Sequence, residues 1–262
     1  MSKFKLGLIQ FDIDLGKVKE NIARAKALIS EAKKRGADMV LLPELWAMGY
    51  DLPNIEAHAY PLGEGIFAEV GEIAAKEGLF IAGSLIAKDG DRLYNIATLH
   101  NPQGKIILTY SKTHLFPLMK EGKYFAPGES LPLVETPFGK IAFAICFDLR
   151  FPELFRSYAL AGAEIILLPA EWPRERIEHF ELLLRARAVE NQYFVAGVNR
   201  VGISGKFTFP GCSQVVAPDG KVIARLGDGE GVVVAEIDLE EIRKVREALP
   251  TLENRRRELY QL

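Results

Sequence analysis

Cysteine is scarce in this chain, with two in 262 residues. Cys146 and Cys212 cannot form the disulfide framework that staples small secreted domains, so both are read as thiols in a reducing compartment. Cys212, inside Gly211-Cys-Ser-Gln-Val-Val216, reads as a small buried strand residue. His58, His100, His114 and His179 form no ligand-spaced pair that would point to a metal site. A glycine-rich phosphate loop and a Gly-x-Ser-x-Gly elbow are also missing. Charge of one sign is lacking too: 33 Lys and Arg against 35 Asp and Glu give a net charge of -2. That leaves no electrostatic case for nucleic acid or an anionic membrane, and makes a small neutral molecule the default partner. No apolar run approaches the roughly 20 residues that span a bilayer, and the opening stretch is too short for a signal peptide. An intracellular, cytoplasmic protein is expected.

What is present is the composition of a globular enzyme, 48% hydrophobic and 26% charged, long enough for a large core. Abundant Glu, Lys and Arg with few Asn and Gln point to a thermophilic source. Strand and helix signals alternate. A strand near Lys5–Phe11 precedes a helix near Lys17–Arg35, which Gly36 ends, and a strand over Asp38–Leu42. A helix near Gly65–Lys76 leads to a hairpin of Leu79–Ala87 and Arg92–His100. After Lys105–Tyr110 comes a long irregular stretch, Lys112–Ser130, of the kind that is usually functional. Strands around Leu133 and Ile141 follow. Then come a helix over Pro152–Ala161, a strand over Glu164–Leu168, a helix from about Arg174 to Asn191 and a strand over Tyr193–Asn199. Strands near Gln214, Val222 and Val233 and a short helix complete the pattern.

An internal echo organises these elements. Gly36-Ala-Asp-Met-Val-Leu-Leu-Pro-Glu44 resembles Gly162-Ala-Glu-Ile-Ile-Leu-Leu-Pro-Ala-Glu171, and Asn101-Pro-Gln-Gly-Lys105 resembles Ala217-Pro-Asp-Gly-Lys221. Two βα halves stacked sheet on sheet with helices outside would give an α/β fold, a four-layer αββα sandwich. No linker interrupts it, so residues 1–262 are expected to be one domain.

Three chemically able residues stand where strands give way to loops: Glu44, Lys112 and Cys146. Cys146 ends the apolar run Ile141-Ala-Phe-Ala-Ile145 and precedes a helix-starting stretch, Phe147-Asp-Leu-Arg-Phe-Pro-Glu153. At such an elbow the next helix's positive end would lower the thiol pKa. Singly, each charged residue could equally be a solvated strand end. Convergence at one sheet edge would make a site.

The segments Leu42-Pro-Glu-Leu-Trp-Ala-Met-Gly-Tyr50, Tyr110-Ser-Lys-Thr-His-Leu-Phe116 and Ala144-Ile-Cys-Phe-Asp-Leu-Arg-Phe-Pro-Glu153 resemble, in order and spacing, the signatures of the nitrilase, or carbon-nitrogen hydrolase, superfamily. The likeness extends through Arg185-Ala-Arg-Ala-Val-Glu-Asn-Gln192. It implies the αββα sandwich, pairing through helices into a homodimer or higher oligomer, and a Glu-Lys-Cys triad. Glu44 would be a general base with a raised pKa, Lys112 with the Phe147 amide would stabilise an oxyanion, and Cys146 would attack a nitrile or amide carbon. Glu121 resembles a family glutamate that positions substrate and polarises the lysine; a solvated loop charge is the alternative. Tyr50, Phe116, Phe147 and Trp172 would wall a pocket, or simply pack the core. Arg150 and Glu153 read as anchors of the elbow helix, Asp148 is open, and His114 offers a papain-like alternative base. The residues after about 249, including Thr251-Leu-Glu-Asn-Arg-Arg-Arg-Glu-Leu-Tyr-Gln-Leu262, form a tail that either reaches a partner subunit or is a solvated charged end.

The expected function is hydrolysis of a small aliphatic nitrile or amide to an acid and ammonia through a Cys thioester, a route that needs neither a metal nor an organic cofactor. Phe147-Asp-Leu-Arg-Phe-Pro-Glu153 and Glu171-Trp-Pro173 are similar to the omega-amidase-like branch, so an omega-amidase-like or carbamoyl amide hydrolase is the alternative. Acyl transfer and a catalytically silent metabolite-binding protein on the same fold are further ones.

Overall fold

The first β–α–β unit forms where the apolar period changes. In the computed structural model, which describes residues 3–260, β1 (Lys3–Gln10) leads to α1 (Val18–Lys34) and β2 (Met39–Leu41). Asn21, Ile22, Ala25, Ile29 and Ala32 bury one helical stripe of α1. Gly36, at φ +85°, supplies the left-handed residue that turns the chain into β2. Next come α2 (Ile66–Glu77), β3 (Phe80–Asp89), β4 (Arg92–His100) and β5 (Ile106–Ser111). The second half runs β6 (Leu133–Thr136), β7 (Gly139–Phe143), α3 (Pro152–Leu160), β8 (Ile165–Ala170), α4 (Ile177–Asn191) and β9 (Phe194–Asn199). A hairpin of β10 (Val201–Ser204) and β11 (Phe207–Pro210) follows. The chain then forms β12 (Gln214–Val216), β13 (Val222–Arg225), β14 (Gly231–Asp238) and α5 (Glu240–Ala248).

Two six-stranded sheets result, ordered β14-β1-β2-β3-β4-β5 and β6-β7-β8-β9-β12-β13. Both have three parallel strands in second to fourth place and antiparallel partners outside them. The internal echo maps onto this symmetry. Its first pair of segments contains β2 and β8, each the third strand of its sheet, and its second pair forms the turns β4–β5 and β12–β13.

Side-chain alternation sets the layers. Leu6, Leu8, Met39, Leu41 and Leu99 belong to one apolar cluster with β7, β8, β9, α3 and α4, whereas Ile9, Val40, Leu42 and Ile81 pack with α1 and α2. The order is therefore helices, sheet, sheet, helices, as the sequence predicts.

Three local features differ from expectation. The α-helix expected from Arg174 begins at Ile177, after a 3-10 turn over Arg174–Arg176. Between Cys146 and α3 lies a further 3-10 turn, Cys146–Arg150, because Pro152 fits only the first helical turn and sets the start of α3. The β10–β11 hairpin had no counterpart in the sequence reading. In the tail, Gln192 Nε2 donates to the Leu249 carbonyl at 2.6 Å and Leu252 packs on the main cluster, while Leu259 and Tyr260 are exposed. Gln261 and Leu262 lie outside the described residues.

Candidate active site

Strand ends from both sheets meet at one edge. Glu44 follows β2, Lys112 follows β5, Cys146 follows β7 and Glu171 follows β8. Glu44 is fully buried and its two oxygens have different partners. Oε1 accepts from Lys112 Nζ at 2.8 Å, Asn95 Nδ2 at 2.8 Å and the Tyr50 hydroxyl at 2.6 Å. Oε2 accepts from the Glu171 backbone N–H at 2.9 Å, a bond that crosses from one sheet to the other. Leu45, at φ +43°, re-aims the chain just past Glu44, and its N–H donates to Ser84 Oγ at 2.9 Å.

Lys112 is as buried as Glu44. Its ammonium also donates to Glu121 Oε1 at 2.8 Å and to the Tyr50 hydroxyl at 3.2 Å. Glu121 comes from the irregular stretch, where two short 3-10 turns flank Lys120 at φ +57°; its Oε2 accepts from the Phe116 N–H at 2.7 Å. It is buried in the cluster, so the solvated-charge alternative does not hold. Tyr50 is more than a wall: its hydroxyl touches Glu44, Glu121 and Lys112 together.

Cys146 sits at φ +45°, a left-handed conformation that costs a non-glycine residue on the order of 1 kcal/mol or more. The turn is held by Asp148. Its carboxylate accepts from the Ile145 N–H (2.8 Å), the Tyr110 hydroxyl (2.7 Å), the His114 N–H (2.9 Å) and His114 Nδ1 (2.7 Å). The undecided Asp148 thus ties the nucleophile elbow to the chain on either side of Lys112. His114 is committed to that bond and to stacking on Phe151, centroids 3.6 Å apart, so it is not placed as the base of a Cys-His pair.

The electrostatics correct two expectations. The Cys146 thiol is raised well above its ordinary pKa, by burial first and by the Glu44 charge second. The 3-10 turn Cys146–Arg150 stands between the thiol and the N-terminus of α3 at Pro152, so the positive end of that helix does not outweigh them. Burial alone would raise Glu44, but the adjacent Lys112 ammonium and the bonds from Lys112, Tyr50 and Cys146 leave it below the usual carboxylate range. Burial pushes Lys112 down, and the Glu44 and Glu121 carboxylates more than reverse it, so the ammonium stays charged. The resting site is therefore a neutral thiol beside an ionised carboxylate and a fixed cation. This arrangement suits base-assisted attack by sulfur on an electrophilic carbon, with the cation ready for the charge that develops.

A narrow cleft opens above the thiol. Phe116, Phe147, Met119 and Trp172 line it with Tyr50 and Glu121. Trp172 is fixed by its indole N–H donating to the Arg176 carbonyl at 2.7 Å and its backbone N–H donating to Asn199 Oδ1 at 2.6 Å. Arg150, expected as an anchor, lines the cleft with Arg176, its guanidinium 4.9 Å from the Trp172 ring centroid. Asn95, Arg176, Glu171 and Arg200 were missed. The signal for Asn95 was a lone amide inside an apolar strand. Among the described residues no group of three or more His, Cys, Asp or Glu is placed to hold a metal ion, and no helix is long and apolar enough to cross a membrane.

Comparisons with known proteins give the family and the fold. The family model for carbon-nitrogen hydrolase matches residues 5–247. The chain is 40% identical over 259 residues to the 2-oxoglutaramate amidase of Bacillus subtilis (strain 168), covering 98% of this chain and 100% of that protein. It is 34% identical over 270 residues to an omega-amidase of Danio rerio, covering 99% and 97%. Among solved structures it resembles Saccharomyces cerevisiae Nit3, a member of branch 10 of the nitrilase superfamily, with TM-score 0.90, 30% identity and 97% of each chain covered.

Proposed function

The chain belongs to the carbon-nitrogen hydrolase family, and from that premise we propose that it is an omega-amidase-like enzyme, releasing ammonia from the terminal amide of a small acid that carries a carboxylate at its other end. The relatives' names support an amide substrate over the nitrile first expected. The observation that carries the substrate class is the rim of the cleft. Arg150 and Arg176 both line it; Arg150 Nη2 lies 3.4 Å from His179 Nδ1, and among the described residues neither guanidinium has a carboxylate within ion-pair distance. Burial first and the Arg176 charge second push the Arg150 pKa below its usual value, as two neighbouring cations at a partly buried rim should. A ligand carboxylate would supply it.

In the reaction, Glu44 takes the Cys146 proton as sulfur bonds to the amide carbon. Lys112 and the Phe147 amide stabilise the oxyanion; losing one such donor typically costs about 3 kcal/mol. Glu44 then passes the proton to the departing nitrogen, the C–N bond breaks, and ammonia leaves a thioester. Glu44 next deprotonates a water, which attacks the thioester and frees the acid and the thiol. Glu121 and Tyr50 hold Lys112 in place throughout. The subunits pair through α3 and α4, a reading supported by the exposed Leu160, Leu182 and Val189 on those helices.

The test is ammonia release from a panel of monoamides of dicarboxylic acids, neutral amides of equal length, carbamoyl compounds and dinitriles. The anionic monoamides should lead. Equal turnover of neutral amides, or a preference for dinitriles, would overturn the assignment.

A further inference from the structure

Glu171 touches both the base and the nucleophile through its backbone: its N–H donates to Glu44 Oε2 at 2.9 Å and its carbonyl accepts from Cys146 Sγ at 3.7 Å. Its side chain is buried too. Oε2 accepts from Arg200 at 3.1 Å, and Arg200, fully buried, also donates to Asp12 Oδ1 and to the Ile13 carbonyl, both at 2.7 Å. Oε1 has no hydrogen-bond partner and lies beside Gly49. The Asp12–Arg200–Glu171 chain thus runs from the end of β1 to the back of the catalytic cluster, and nothing in the reaction above uses it.

We propose that Glu171 is a positioning residue that sets the basicity of Glu44, its carboxylate charge strengthening the base that removes the Cys146 proton. The charged groups facing it are Arg200, with Asp12 behind, on one side and Glu44 and Lys112 on the other. Burial raises Glu171 to about 7, with Arg200 lowering it and the Glu44 charge raising it. Coupling between two carboxylates is mutual, so ionised Glu171 raises the proton affinity of Glu44 in return. Above neutrality Glu171 is charged and Glu44 is the stronger base; below it Glu171 is neutral and the base weakens.

Alkylation of Cys146 by iodoacetamide, followed by intact mass from pH 5.5 to 8.5, tests this without any substrate, so its outcome is independent of the proposed amide specificity on which the wider reading rests. The wild-type rate constant is expected to rise about tenfold through an inflection near pH 7, the effect of one neighbouring charge worth about one pKa unit. Glu171→Gln should stay on the low-pH plateau and lose the inflection, with KM for any turned-over amide unchanged. A wild-type profile without that inflection, or a Glu171→Gln profile of the same shape merely scaled down, would overturn the proposal.

Discussion

Replacing Glu44 with Gln keeps the shape of the buried cluster and removes its base. Lys112 retains Glu121 at 2.8 Å, so the ammonium is not left alone and the variant should fold, at a cost of about 1–3 kcal/mol. The kinetic effect is larger and follows from the thiol. Its ordinary pKa is 9.0 and the buried position raises it, so at pH 7 fewer than about 1 in 100 molecules carry a thiolate unaided. Without Glu44, acylation should fall at least about 100-fold, inside the range of about 10²–10⁴ typical of general-base loss. The pH dependence is diagnostic. The wild type draws on an ionised carboxylate whose pKa lies below the usual range, whereas the variant depends on free thiolate and should gain about tenfold per pH unit up to the thiol pKa. Stopped-flow acylation between pH 6 and 9 measures both. A variant with less than tenfold loss and a wild-type pH profile would refute base catalysis by Glu44.

Arg150→Met and Arg176→Met should each raise KM for an anionic monoamide about 10–100-fold, the worth of one charge-assisted hydrogen bond, and leave a neutral amide of the same length unaffected in steady-state assays. Asp148→Ala removes the acceptor of four hydrogen bonds and should lower stability by about 3–5 kcal/mol, read by denaturant unfolding, and slow Cys146 alkylation as the elbow relaxes. His100 is buried with Nε2 at 3.1 Å from the Phe67 carbonyl, and burial depresses its pKa from 6.5 to about 4. The fold therefore favours the neutral ring: stability is full above pH 6.5 and declines on acidification towards pH 4, by on the order of 3 kcal/mol, and His100→Gln should flatten that window in urea titrations. Leu182→Glu combined with Val189→Glu should shift light-scattering mass to that of the monomer.

The fold was legible because its signals are local and repeated. The same Gly-Ala-acid-apolar-Leu-Leu-Pro run carries the third strand of each sheet, and the same Pro-x-Gly turn joins the last two strands. The candidate site was legible in its strand-end residues, since Glu44, Lys112 and Cys146 each follow an apolar run that had to be a buried strand. What stayed hidden depends on tertiary context. Asn95 and Arg200 are buried polar residues whose partners lie far away in sequence, and a charged residue read singly defaults to solvent. The β10–β11 hairpin pairs two four-residue strands outside both six-stranded sheets with Ile203 exposed, so it lacks a strong alternation. The direction of the Cys146 pKa shift was misread because the positive end of the next helix was expected to act on the thiol, whereas the turn Cys146–Arg150 separates the two and burial beside Glu44 decides the sign.

The account rests on one sulfur carrying the acyl group. Acid-quenched intact-mass spectrometry during turnover of an anionic monoamide measures that directly. The wild type should show a mass increase equal to the acyl group, mapped by peptide digestion to Cys146, with one ammonia released per adduct. An adduct on Cys212, or undiminished ammonia release by Cys146→Ala, would contradict it.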